Sequence, residues 1–114
     1  MASFSQGDVI RVPFPYTDRN ARHHRPALVV SPGGLGERSS LLWVVMITSA
    51  ANGGWPNDVA LDRGYEAAGL PVPSIIRPTK MTTVEARHAD RIGKLDRRIW
   101  REVASILKRQ LGFE

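Results

Sequence analysis

The longest apolar run in the chain is 41–48, LLWVVMIT, and polar, glycine-bearing segments flank it: PGGLGERSS before and SAANGGWP after. Eight residues fall far short of the ~20 that a membrane-spanning helix needs, so the run belongs inside a folded domain. It reads as the most apolar strand of a sheet and as the sheet's centre, because a strand that is hydrophobic throughout needs cover on both faces.

The rest of the chain is organised around it as further short strands. Gly7-Asp8 opens a strand at 9–12, in which Val9 and Arg11 alternate with Ile10 and Val12; this predicts one buried and one partly wet face. Pro13 and Pro15 stop it. The segment 16–24, YTDRNARHH, reads as an exposed loop, and Arg25-Pro26 leads into a strand at 27–31. Gly33, Gly34 and Gly36 make 32–40 a hairpin turn. They do not make it a phosphate loop, because the lysine and hydroxyl that close such a loop are missing. Strands follow at 57–61, at 74–76, at 80–85 and at 90–95, with an irregular stretch at 63–73. Asp96 is a fitting N-cap for a terminal helix whose stripe runs through Ile99, Val103, Ile106 and Leu107, with Gly112 at its C-cap. The helix's Arg97, Arg98, Arg101, Lys108 and Arg109 read as a solvated face. The expected architecture is mainly β: a single domain over 1–114, with a small curled antiparallel sheet or barrel and a C-terminal α-helix covering one side. Trp43 and Trp100 are expected in the core or an interface.

Composition narrows the chemistry. With no cysteine in 114 residues, disulfides, thiolate-held zinc, iron–sulfur clusters and thiol nucleophiles are excluded. The N-terminus lacks the pattern of a signal peptide, so a soluble, cytoplasmic protein is expected. Sixteen Lys and Arg against eleven Asp and Glu give a formal net charge of +5, which attracts polyanions, though it serves solubility equally well. A core of this size gains from oligomerisation.

His23, His24 and His88 are the three histidines, and no carboxylate cluster completes a metal site with them. Nucleophile elbows and zinc-protease motifs are missing as well. What remains is a concentration of phosphate-friendly groups at two strand ends: Arg22, His23, His24 and Arg25 at one, Thr48 and Ser49 at the other. RNA cleavage needs no metal when the 2′-OH attacks. The protein must then hold the phosphate in line, neutralise the transition state and move two protons. An arginine fork suits the charge, a threonine hydroxyl can orient an oxygen, and a histidine can exchange protons. By themselves these residues also fit plainer parts, Arg25 as a strand-edge cation paired with Asp18 or another carboxylate and Thr48 as a strand-end cap.

Taken in order, Gly7-Asp8-Val9-Ile10, Val12-Pro13-Phe14-Pro15-Tyr16-Thr17-Asp18 and Arg25-Pro26-Ala27-Leu28-Val29-Val30-Ser31-Pro32 resemble the MazF/PemK toxin family. So do Ile47-Thr48, Ser74-Ile75-Ile76-Arg77-Pro78 with 80–83, and Arg91-Ile92-Gly93-Lys94-Leu95. The resemblance implies an SH3-like barrel, a homodimer and an acidic cognate antitoxin. It implies a sequence-specific, metal- and cofactor-independent endoribonuclease that cuts single-stranded RNA to a 2′,3′-cyclic phosphate and a 5′-OH. On that similarity Arg25 and Thr48 are catalytic. The loop before Arg25 lacks the carboxylate that some members carry, which makes His24 the candidate proton acceptor. Thr17, Asp18, Arg22, Ser49, Trp55, Ser74 and Lys80 are the expected RNA contacts, Trp55 by stacking on an unpaired base. Two other readings keep the fold: a CcdB-like toxin that poisons a protein such as gyrase, and a non-toxic RNA-binding barrel.

Overall fold

The computed structural model describes residues 3–13 and 24–113. Within them the strands are β1 (Asp8–Pro13), β2 (His24–Val29), β3 (Leu41–Ser49), β4 (Val59–Leu61), β5 (Ser74–Glu85) and β6 (Asp90–Lys94), and α1 (Arg97–Gln110) follows. All neighbours pair antiparallel, in the order β4-β5-β3-β2-β1-β6, so the apolar run does lie in the interior of the sheet, between β5 and β2. The architecture is mainly β, a curled antiparallel sheet with one C-terminal helix.

Alternation along the central strands splits the core in two. Val9, Leu28, Val45 and Ile47 face one cluster, which α1 closes with Val103, Ile106 and Leu107. Ile10, Val12, Ala27, Val29, Leu42 and Val44 face the other, closed by Phe4 and Val84 as the sheet curls. In β1 Ile10 and Val12 are buried, whereas the face that carries Val9 also carries exposed Arg11 and half-buried Pro13, so one face is partly wet as expected. Asp8, itself buried, ties β1 to β6 by accepting from Arg91 Nε at 3.0 Å and lying 3.5 Å from Lys94 Nζ.

Among the boundaries that differ from the sequence reading, three are informative. First, β2 begins at His24, so Arg25 and Pro26 are strand residues paired with Val12 and Arg11. Second, 74–76 and 80–85 are parts of one strand. The register jumps from Val45↔Met81 to Met46↔Arg77, which leaves residues 78–80 as a bulge that houses Pro78, a residue unable to donate to a ladder. The Pro78 carbonyl accepts instead from Gln110 Nε2 of α1 at 2.8 Å. Third, Leu111 is the helix's C-cap and Gly112 is the residue after it, at φ +81°, where a left-handed residue costs glycine least. Asp96 caps the other end, accepting from Arg98 N. Trp100 packs on the helix-side core, whereas Trp43 is 50% exposed and outside the core.

The segment between β4 and β5 reaches back to β6 through two glycines. A Cβ on Gly69 would collide with the Ile92 carbonyl, and one on Gly93 with the Ala68 carbonyl. This backbone-to-backbone approach places Leu70, Pro71 and Val72 opposite the end of β3, where they help line a groove. Among the described residues no helix is long and apolar enough to cross a membrane.

Candidate functional site

The β2–β3 ladder runs Val29↔Val44, Leu28↔Val45, Ala27↔Met46 and then stops, next to Pro26, which has no N–H to give. Continued two residues further, the same register sets Arg25 opposite Thr48. β1 still holds this end of β2, so the two strand ends part and a groove opens between them. Arg11, Arg25, Thr48, Ser49 and Ser74 supply its polar side. Leu70, Pro71, Val72 and Ile92 supply an apolar wall, and the enclosed volume is about 620 Å³. That volume suits a nucleotide-sized ligand.

Asn52 joins the lining through the turn that follows β3. Ser49 Oγ accepts from Ala51 N at 3.2 Å and starts a single 3-10 turn over Ala50–Asn52. The turn brings Asn52 back over the strand end, where its Nδ2 donates to Thr48 Oγ1 at 2.9 Å. The Asn52 carbonyl in turn accepts from Arg77 Nη2 at 2.8 Å. Arg77 also sends Nε and Nη2 to the two oxygens of Asp58, each at 3.0 Å, and the two side chains are only 5% and 9% exposed. Asp58 further accepts the backbone N–H groups of Gly54 and Trp55, at 3.2 and 3.0 Å. The Arg77 hydrogen bond, helped by these amides and by the guanidinium charge, outweighs burial and holds the Asp58 carboxyl below its usual range. The Trp55 ring centre lies 4.1 Å from the Arg77 guanidinium and 6.0 Å from Lys80 Nζ.

The expected site residues therefore fall into groups. Arg25, Thr48, Ser49 and Ser74 meet in the groove, although the Ser74 hydroxyl is buried and donates to the Val72 carbonyl at 2.8 Å. Trp55, 47% exposed, and Lys80 come together outside it, joined to it through Arg77 and Asn52. His24 is exposed and is not part of the groove lining. Thr17, Asp18 and Arg22 lie outside the described residues. Sequence reasoning missed Arg11, Asn52, Asp58, Arg77 and the wall at 69–72. Asn52, four residues after Thr48, was the one with a local signal; Asp58 and Arg77 are 19 positions apart and meet only through the sheet. Among the described residues no three His, Asp or Glu side chains gather as a metal cluster would require.

Comparison with known proteins places this geometry in context. Residues 5–111 match the family described as PemK-like, MazF-like toxin of type II toxin–antitoxin system. No curated protein sequence matches the chain. Among solved structures, it resembles the MazE–MazF complex from Deinococcus radiodurans at 22% identity and TM-score 0.75, covering all of both chains. It resembles an endoribonuclease in complex with its cognate antitoxin from a mycobacterial species at 19% identity and TM-score 0.73, covering 100% of this chain and 98% of that one. The Mycobacterium tuberculosis toxin MazF-mt6 is similar at 18% identity and TM-score 0.65, covering 92% and 97%.

Proposed function

Because this chain belongs to the PemK-like, MazF-like toxins of type II toxin–antitoxin systems, we propose that it is an endoribonuclease that cuts single-stranded RNA through the groove between Arg25 and Thr48. The observation that carries the proposal is the register: the two residues that the resemblance marks as catalytic fall opposite each other where β2 and β3 separate.

In the proposed step the substrate's 2′-oxygen bonds to phosphorus while the bond from phosphorus to the 5′-oxygen breaks. The products are a 2′,3′-cyclic phosphate and a 5′-OH. The proton leaving the 2′-OH passes to a base, and another reaches the 5′-oxygen. Arg25 brings a permanent charge and a planar fork to the non-bridging oxygens, whose charge grows in the transition state. The Thr48 hydroxyl donates to one of the same oxygens. Arg11 adds a second cation on the groove wall. The proton acceptor proposed from the sequence is His24, which adjoins Arg25 in β2 but stands outside the groove lining, so its side chain must turn in over the strand end to reach the 2′-OH. Trp55 and Lys80 form a flanking platform suited to stacking an unpaired base beside its phosphate, so they bear on sequence preference. By analogy with the solved complexes, the chain pairs with a cognate antitoxin, acidic enough to compete with RNA for this basic groove. The resemblance adds a homodimer.

The test is cleavage of a long RNA in excess EDTA. Wild-type protein is expected to cut and leave ends that carry a cyclic phosphate, Arg25→Ala to lose at least about a hundredfold in kcat, and His24→Ala about a hundred- to ten-thousandfold, the orders for single electrostatic and proton-transfer groups. Intact RNA under all conditions, with host toxicity persisting through a protein target such as gyrase, would overturn the proposal. Near wild-type cutting by His24→Ala would move the base elsewhere and leave the rest standing.

A further inference from the structure

We propose that Asn52 is a positioning residue that sets the direction of the Thr48 hydroxyl, and that the Arg77–Asp58 pair braces Asn52 for that purpose. The inference rests on the proposed cleavage reaction and adds to it a part that neither the family resemblance nor the comparisons assign.

A threonine hydroxyl has one hydrogen and two lone pairs, and it turns freely unless something fixes it. Near a strand end it readily turns back to bond local backbone groups. Here Asn52 Nδ2 donates to Oγ1 at 2.9 Å. With a lone pair occupied by that amide, the hydroxyl hydrogen is left to donate elsewhere, and the groove lies before it. Thr48 is thereby set as a donor before any RNA arrives. A donor already oriented costs no rearrangement at the moment when charge builds on the phosphate.

Asn52 can hold this direction only if its own backbone is fixed. It ends a single 3-10 turn in an exposed loop that also carries two glycines, Gly53 and Gly54, a poor anchor by itself. Arg77 provides the anchor from β5, beneath the loop. Its Nη2 serves both the Asn52 carbonyl and Asp58, and Nε reaches the other Asp58 oxygen. Asp58 also gathers the amides of Gly54 and Trp55, so a single half-buried carboxylate pins the loop on the far side of Asn52. The Trp55 ring lies over the guanidinium. Arg77 is 4% exposed and takes no part in lining the groove, so it acts by holding the loop and not by touching the phosphate.

The test is a double-mutant cycle on the full-length chain, read by single-turnover cleavage together with binding of the same RNA carrying a 2′-deoxy sugar at the cleavage position. Asn52→Ala is expected to lower kcat about tenfold, less than the loss of a direct transition-state donor, with affinity for the deoxy RNA within about twofold. Thr48→Val is expected to cost more. Adding Asn52→Ala to Thr48→Val is expected to cost nothing further, because Asn52 then has no hydroxyl to direct. Thr48→Ser, which keeps the hydroxyl, retains the dependence on Asn52. Asn52→Asp is expected to fall below Asn52→Ala, since a carboxylate accepts the hydroxyl hydrogen and draws it away from the phosphate. Both altered side chains lie at the groove rather than in the core, and unchanged thermal unfolding verifies the fold. Additive losses in the double variant, or a loss confined to RNA affinity, would overturn the inference while leaving the cleavage reaction intact. Wild-type protein that fails to cut RNA at all would overturn both.

Discussion

At Arg77 two guanidinium nitrogens converge on one carboxylate, and neither partner has much water to fall back on. Removing one partner strands the other, which for buried pairs costs about 3–5 kcal/mol. Arg77→Met is therefore expected to lower stability by that order in urea titration, and Asp58→Asn by somewhat less because the amide oxygen still accepts an N–H. The same pair gives an acid dependence. Asp58 binds protons less readily in the folded chain than in the unfolded one, chiefly because Arg77 donates to it. Its contribution is complete above the ordinary carboxylate range and fades as pH falls through its lowered folded value. Wild-type stability should drop on that acid side, and Asp58→Asn should show a shallower drop; equal slopes would remove the pair from the account. Arg25 calls for a different test. Arg25→Lys keeps the charge and loses the planar fork, so cleavage is expected to remain at least tenfold below wild type, with the larger part of the loss in kcat. The residues named from the sequence, Arg25 and Thr48, stand at strand ends whose local patterns carry the resemblance. Asn52 had only its spacing of four from Thr48, and Asp58 and Arg77 could not be singled out, although Arg77 lies in a segment that carries the resemblance, because what makes them matter is contact between segments up to 25 residues apart.

The elements show why some boundaries could be read and others could not. Asp96 announces α1 because an N-cap bonds within its own turn, at Arg98 N. The middle of β5 resisted reading because Pro78 ends most strands. Here a three-residue register slip makes room for it, and a helix side chain takes up its carbonyl. β2 extends back to His24 because β1 supplies its partners, a fact beyond any local pattern. The 63–73 stretch is irregular, as its sequence implies, and it builds the groove's apolar wall through the Gly69–Gly93 approach. Gly93→Ala tests that wall. The added methyl must push the Ala68 backbone away, for which overpacking costs of about 1–3 kcal/mol are usual. A Tm lower by several degrees is expected, along with weaker binding of uncleavable RNA, because Leu70, Pro71 and Val72 move with the segment. A lower Tm with unchanged RNA affinity would separate the wall from the binding surface.

On the scale of the whole molecule, the sheet's curl gathers charge that the sequence spreads out. The formal net charge of +5 says nothing of where it acts. The fold brings Arg11 and Arg25 from neighbouring strands into the same groove, and sets Lys80 beside Trp55 near its end. The mainly β class, the central strand and the closing helix were legible because hydrophobic alternation and capping are local. The groove was not, because it exists only where one ladder ends and a distant glycine-packed segment faces it. This arrangement gives a quantitative expectation. Single-stranded RNA that neutralises its phosphates on about three cations releases counterions with a log–log salt slope of about −0.7 per contact, or about −2 in all. Affinity for uncleavable RNA should thus fall roughly fifteen- to twentyfold between 50 and 200 mM salt. Arg11→Gln should lower affinity at low salt and flatten the slope by about 0.7, whereas Trp55→Ala should lower affinity with the slope unchanged, since stacking releases no counterions. Filter binding across a salt series with these variants reads both effects. A slope near zero in the wild type would mean that RNA does not sit on these cations, and an unchanged slope in Arg11→Gln would place the phosphate path elsewhere on the surface.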